Sequence, residues 1–188
     1  MNDTDWYEVV DGSELFQGDI LPQCPIVSVL DPIAWPILPD VKFSVGITGR
    51  DLVVMTQSCD LENDKIEDVL LAELVSWEQT VRNENQRGNR FIQSIQFRRQ
   101  LIAGNVPGLA LLHKRSRELG MEWSVVNFHR LYSLPKTFLS NFAAALGLRL
   151  RLRSPYREHL AQAFARYFMR VGLPHDARAF EKEGDVKL

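Results

Sequence analysis

Residues 123–134, WSVVNFHRLYSL, set Val125, Asn127, His129 and Leu131 against Val126, Phe128, Arg130 and Tyr132. That period of two marks a β-strand, whose successive side chains point to opposite faces. A strand this long needs partners, and the chain offers several. Residues 52–55 (LVVM) are a short, β-branched, wholly apolar run suited to a buried strand. Residues 69–75 (VLLAELV) are expected to return antiparallel beside it. Residues 41–47 (VKFSVGI) alternate and read as a strand, with a turn at 48–51 (TGRD). Residues 109–114 (LALLHK) read as another strand. In 15–30 (LFQGDILPQCPIVSVL), Gly18 and Asp19 turn the chain into an apolar stretch, where Pro22 and Pro25 exclude a helix interior and point to an edge or bulged strand. Residues 1–14 read as a polar lead-in, and 31–40, with Pro32, Pro36 and Pro39, as a loop.

Helical composition takes over at about 77–103, with Gly88 as the break and Pro107-Gly108 beyond the end. A helix is expected after Pro135, because Phe138, Leu139, Phe142, Ala145 and Leu146 follow a 3.6-residue period and Gly147 suits the position after its end. Ser154 and Pro155 predict the start of a last helix, which buries Leu160, Phe164, Tyr167, Phe168 and Val171 before Gly172 and Pro174 stop it. The tail after His175 is expected to fray. The expected fold is therefore α+β: a small bent antiparallel sheet or SH3-like β-barrel, a helical insertion and two C-terminal helices. Residues 1–146 would form the barrel domain and 147–188 a C-terminal helical extension packed on it.

Charge is distributed unevenly along the chain. Residues 1–80 hold 16 acidic and 3 basic side chains, whereas residues 81–178 hold 17 basic and 5 acidic. Such a split fits a surface for a polyanion such as RNA, or two halves that neutralise each other across their own interface. Hydrophobic residues make up 45% of the chain, enough for a core. No apolar run approaches the roughly 18–20 residues that span a bilayer, so no membrane association is expected. The acidic start MNDTDWYEVVDGSE lacks the order of a secretory signal, which makes the cytoplasm the expected location, with Cys24 and Cys59 reduced.

Three stretches resemble the MazF/PemK-type toxins. GDIL (18–21) resembles that family's opening strand, GRDLVVMTQSCDLENDKIEDVLLAEL (49–74) its central strand, turn and return strand, and WSVVNFHRLYSLPKTFL (123–139) its late strand and helix. The resemblance implies an SH3-like barrel and binding of RNA, with metal-independent endoribonuclease activity as its extension. On this likeness Arg50 would be the cation for a phosphate and Ser76 a hydroxyl that assists cleavage. The family has Pro after the strand-opening Arg, where this chain has Asp51. The last helix lies outside the family pattern.

The most unusual polar cluster is Thr56-Gln57-Ser58-Cys59-Asp60, directly after the apolar run. Functional groups often sit at the ends of rigid elements. Thr56, Ser58 or Asp60 could position or deprotonate a hydroxyl, and Cys59 could be a nucleophile if His113 or His129 lay beside it. Against this stands a buried cysteine with Asp60 capping a turn. Arg50 and this cluster would sit at opposite ends of one strand, about 16 Å apart. The basic groups are Arg98 and Arg99, Lys114 and Arg115, and Arg149, Arg151 and Arg153; in RLRLR the three arginines would line one face as a phosphate-tracking stripe or cover acidic groups. There is no CxxC, no HExxH and no P-loop or dinucleotide motif, so no metal and no cofactor is expected. A protein partner or homodimer fits the apolar, arginine-bearing last helix. The alternative to an RNA-binding protein is thus a non-catalytic interaction subunit of a bacterial defence or stress system.

Overall fold

In a computed structural model, residues 6–30, 36, 40 and 42–169 are described. The elements are β1 (Tyr7–Val10), β2 (Ile20–Val29), β3 (Val45–Val54), a short helix α1 (Ser58–Glu62), β4 (Asp68–Ser76), α2 (Trp77–Gln86), a 3₁₀ turn (Arg90–Gln93), α3 (Ile95–Ile102), β5 (Leu109–Leu112), β6 (Ser124–Pro135), α4 (Lys136–Leu146), β7 (Arg149–Leu152) and α5 (Tyr156–Phe168). Most of the expected loop at 31–40, the N-terminal five residues and everything after Met169 lie outside the described residues.

The fold is α+β. Five strands form an antiparallel sheet in the order β2-β3-β4-β6-β5, and β1 pairs with β7 in a separate two-stranded sheet. Of the two forms expected, the open bent sheet is present: among the described residues no ladder joins β5 back to β2. The centre of the larger sheet is buried on both faces, which is why 52–55 is apolar throughout. Val53, Ala72, Val126 and Phe128 join a core under β1, β7 and α5 through Tyr7, Leu150, Leu152 and Leu160. Leu52, Val54, Val69 and Leu71 face the other way, onto Leu139 and Ala143 of α4. The expected pairing of 52–55 with 69–75 is observed, with Leu52 opposite Glu73 and Val54 opposite Leu71.

Several local expectations are corrected. The TGRD segment is no turn; it runs within β3, where Thr48, Gly49 and Arg50 pair with Ile26, Pro25 and Cys24. Cross-strand pairing overrides the turn composition. A Cβ on Gly49 would sit 2.6 Å from Oε1 of Gln23, so a side chain there would displace the Gln23 amide. Gln23 itself has φ 51° at a bulge in β2, and its backbone and side-chain N–H groups both donate to Asp51 Oδ1 at 2.9 Å. Residues 7–10, expected in a polar lead-in, form β1. The last helix begins at Tyr156 after Pro155, with no side-chain cap from Ser154. The helical insertion does break at Gly88 (φ 82°), and α4 does end at Gly147 (φ 72°). No described helix is long and apolar enough to cross a membrane.

Candidate functional site

Glu73 is the one charged residue in the apolar return strand VLLAELV, and it is buried. A buried carboxylate demands partners. β3 supplies Arg50, whose Nη1 lies 3.0 Å from Glu73 Oε1. Arg50 is two residues from Leu52, the direct partner of Glu73, so the two share a face as diagonal neighbours. β6 supplies Arg130, with Nε 3.6 Å from Glu73 Oε2.

Arg130 reaches Glu73 because the ladder breaks there. Ala72 pairs with Leu131 but Glu73 pairs with Asn127, which leaves residues 128–130 of β6 without partners in β4. Bulges of this kind re-aim side chains beside functional sites. The Asn127 side-chain oxygen accepts from His129 N at 3.0 Å, and Gly108 O accepts from Phe128 N at 2.8 Å. The His129 ring lies over Gly108, where a Cβ would be 2.3 Å from Nε2, and Gly108 has φ +83°. His129 Nδ1 is 3.0 Å from the Tyr167 hydroxyl of α5.

These groups line an open polar groove of about 970 Å³ between the sheet and α2. Its other walls include Gln79 and Asn83 of α2 and Arg87 just after it, together with Pro107 and Asn127. Both arginine side chains stay accessible, at 41% for Arg50 and 52% for Arg130, while Glu73 is at 8%. One carboxylate thus holds two guanidinium groups in place without covering them. Arginine presents five donors, so each can still receive an anion.

The expected catalytic residues fall into two places. Arg50 and Ser76 line the groove. Ser76 is also the N-cap of α2, its Oγ accepting from Gln79 N at 3.1 Å. Thr56, Ser58, Cys59 and Asp60 sit beyond the other end of β3. There Thr56 Oγ1 accepts from Leu70 N at 2.8 Å and Ser58 Oγ from Gln17 N at 3.2 Å, so both hydroxyls tie backbone together. Cys59 is exposed at the start of α1, with Sγ 3.6 Å from Gln57 Oε1 and 3.8 Å from Asp60 Oδ1. Among the described residues no hydrogen bond joins it to a histidine; His113 is packed between Trp6 and Trp123 instead. Both cysteines are free, and burial pushes the Cys24 thiol up to about 11.

The basic stripe is corrected. Arg149 and Arg151 do share a face of β7, but that face is closed. Asp19, fully buried, lies 3.0 Å from Arg149 Nη2 and accepts from Arg151 Nη2 at 3.0 Å. Arg149 also donates to the carbonyls of Gly12 (2.8 Å) and Glu14, and Arg151 stacks over Phe16 at 4.2 Å. A carboxylate inside the protein takes both charges before any phosphate can. Arg153 is exposed past the end of the strand. Arg98 and Arg99 are exposed on α3, Lys114 is exposed after β5, and Arg115 donates to Leu119 O at 2.8 Å; none of these lines the groove. Among the described residues no three His, Cys, Asp or Glu side chains gather in a way that could hold a metal ion.

Sequence reasoning missed Glu73, Arg130 and Asn127, and weighed His129 as a base for Cys59 or a metal ligand rather than as part of a groove. The available signal was a single carboxylate inside an apolar strand. No protein-family model matches the chain, and no curated protein matches its sequence.

Proposed function

We propose that the protein binds single-stranded RNA in the groove, with a backbone phosphate held by Arg50 and Arg130. The supporting observation is the pair of accessible arginines fixed on one buried carboxylate, Glu73. Preset guanidinium groups lose little freedom when an anion arrives, and two of them suit the oxygens of a phosphodiester. The amides of Gln79, Asn83 and Asn127 supply donors and acceptors for base edges along the same groove. The likeness to MazF/PemK-type toxins extends this reading to metal-independent cleavage, in which a 2′-hydroxyl gives its proton to solvent and attacks phosphorus, the P–O5′ bond breaks to leave a 2′,3′-cyclic phosphate, the 5′-oxygen takes a proton from solvent, and the arginine pair would stabilise the charge on the phosphate. A cytoplasmic location belongs to the same reading.

Fluorescence anisotropy with a labelled RNA 12-mer in EDTA tests the binding, and a gel of the same samples tests cleavage. Arg50→Ala and Arg130→Ala should each weaken binding by about tenfold or more, since a hydrogen bond to a charged group contributes roughly 1.5–3 kcal/mol. Unchanged affinity in both variants would remove the groove as the site, and intact RNA with wild-type protein would remove cleavage. The second reading, a non-catalytic interaction subunit, draws on a different surface: the exposed apolar tip of the β2–β3 hairpin.

A further inference from the structure

Val27 and Val29 of β2 lie directly opposite Ile47 and Val45 of β3. All four are 46–72% exposed, as branched side chains rarely are in such a cluster. Neither strand carries a charged residue here: residues 24–30 and 43–49 have none. β2 is also an edge of the five-stranded sheet. Proteins normally guard an edge with charge, proline or a bulge. Gln23 and its flanking prolines guard the first half of β2, but among the described residues no strand, charge or proline guards 26–30.

The backbone pattern identifies what is left open. Leu30 N donates to Ser44 O at 2.9 Å, so Leu30 turns its polar groups toward β3. Antiparallel ladders alternate, so Ser28 does the same, while Val27 and Val29 turn their N–H and C=O groups outward. The open segment reads Ile26-Val27-Ser28-Val29-Leu30, which is symmetric in chemistry about Ser28. A second copy of this segment, antiparallel and centred on Ser28, sets Val27 against Val29 and Ile26 against Leu30. Each outward N–H then meets an outward C=O, giving four backbone hydrogen bonds.

We propose that the protein forms a two-fold dimer by antiparallel pairing of residues 26–30, joining the two five-stranded sheets edge to edge. The second copy is the occupant for two reasons. The palindromic segment meets itself in register. A two-fold contact also brings each residue near its own counterpart, so any charge would face its like, and this strip is uncharged. The groove meets β3 at Gly49–Asp51, in the middle of the strand, and residues 26–30 are not among those that line it.

Light scattering across micromolar concentrations should give twice the 21.6 kDa chain mass. Val27→Pro removes one outward N–H, at a position where an edge strand tolerates proline, and should yield a monomer with an unchanged far-ultraviolet spectrum. Val29→Lys should do the same. Register is tested in a Cys59→Ser background. Opposed residues of a non-hydrogen-bonded pair are about 4.5 Å apart at Cα, within reach of a disulfide. Mild oxidation of the Ser28→Cys variant should therefore give a covalent dimer. A wild-type monomer at every concentration overturns the proposal, whether or not another protein co-purifies. Cross-linking of the Ile47→Cys variant in place of Ser28→Cys also overturns it, since the hairpins would then pack face to face.

Discussion

The molecule contains the same three-residue arrangement twice, one carboxylate between two arginines, with opposite consequences. Around Asp19, the carboxylate and Arg149 have no exposed side-chain surface and Arg151 has 12%. Around Glu73 the carboxylate is also buried, at 8%, but Arg50 and Arg130 lie open at 41% and 52%. Sealed, the cluster clasps the segment from Gly12 to Asp19 onto β7. Open, it presents fixed cations to the groove. The chemical types match, and solvent access separates the structural clasp from the proposed binding site.

Removing each carboxylate is the strongest way to break this comparison. Asp19→Asn leaves Arg149 buried without its counter-charge. Breaking such a pair costs about 3–5 kcal/mol, so urea unfolding should show a large drop in midpoint, or no folded protein at all. Glu73→Gln should cost far less, about 1 kcal/mol, because both arginines can turn to water. Equal losses in the two variants would mean that Arg50 and Arg130 are as confined as Arg149, and the contrast would fail.

Truncating the arginines sharpens the same contrast from the other side. Arg50→Ala and Arg130→Ala remove half-exposed ion pairs, which contribute about 0–1 kcal/mol to stability, yet each should weaken RNA binding about tenfold or more. Arg149→Met should reverse the pattern, with stability lost and the affinity of the folded fraction unchanged.

Gly108→Ala tests whether the part of β6 without partners in β4 maintains the open cluster. The new methyl group would meet His129 Nε2 at 2.3 Å, at a φ of +83° that side chains avoid. Left-handed backbone costs a non-glycine residue roughly 1–2 kcal/mol. His129 should move off Tyr167 and Arg130 should shift with it, lowering RNA affinity by more than any change in the midpoint of unfolding would suggest.

Much of the architecture was legible because it follows from local periodicity. The spacing of Phe138, Leu139, Phe142 and Leu146 marked α4, and the alternation through 123–134 marked β6. The same alternation placed Arg149 and Arg151 correctly on one face. It did not show what that face meets, because Asp19 lies 130 residues from Arg149 in sequence. Within the stretch read as GDIL, that Asp is the partner that closes the stripe. The groove was illegible for a related reason. It assembles from β3, β4 and β6, and it depends on a three-residue slip in register that no run of sequence announces. The toxin resemblance reached Arg50 and Ser76, which line it, and the lone carboxylate Glu73 in an apolar strand was the other trace. The TQSCD cluster, which suggested chemistry because polar residues follow a buried strand, lies apart from the groove, and Thr56 and Ser58 there accept from backbone N–H groups.

The smallest effect tests the comparison most finely. For single-stranded nucleic acid, the logarithm of the binding constant falls with the logarithm of salt by about 0.7 per neutralised phosphate. If Arg50 engages one phosphate, Arg50→Ala should flatten that slope by about 0.7. Arg153 is the control, because it is exposed beside the sealed cluster yet lies outside the groove. Arg153→Ala changes net charge by the same amount and should leave the slope where it was. A slope that responds equally to both would mean that RNA senses only the diffuse positive charge of the C-terminal half. The Glu73 cluster would then be a second clasp that happens to be wet.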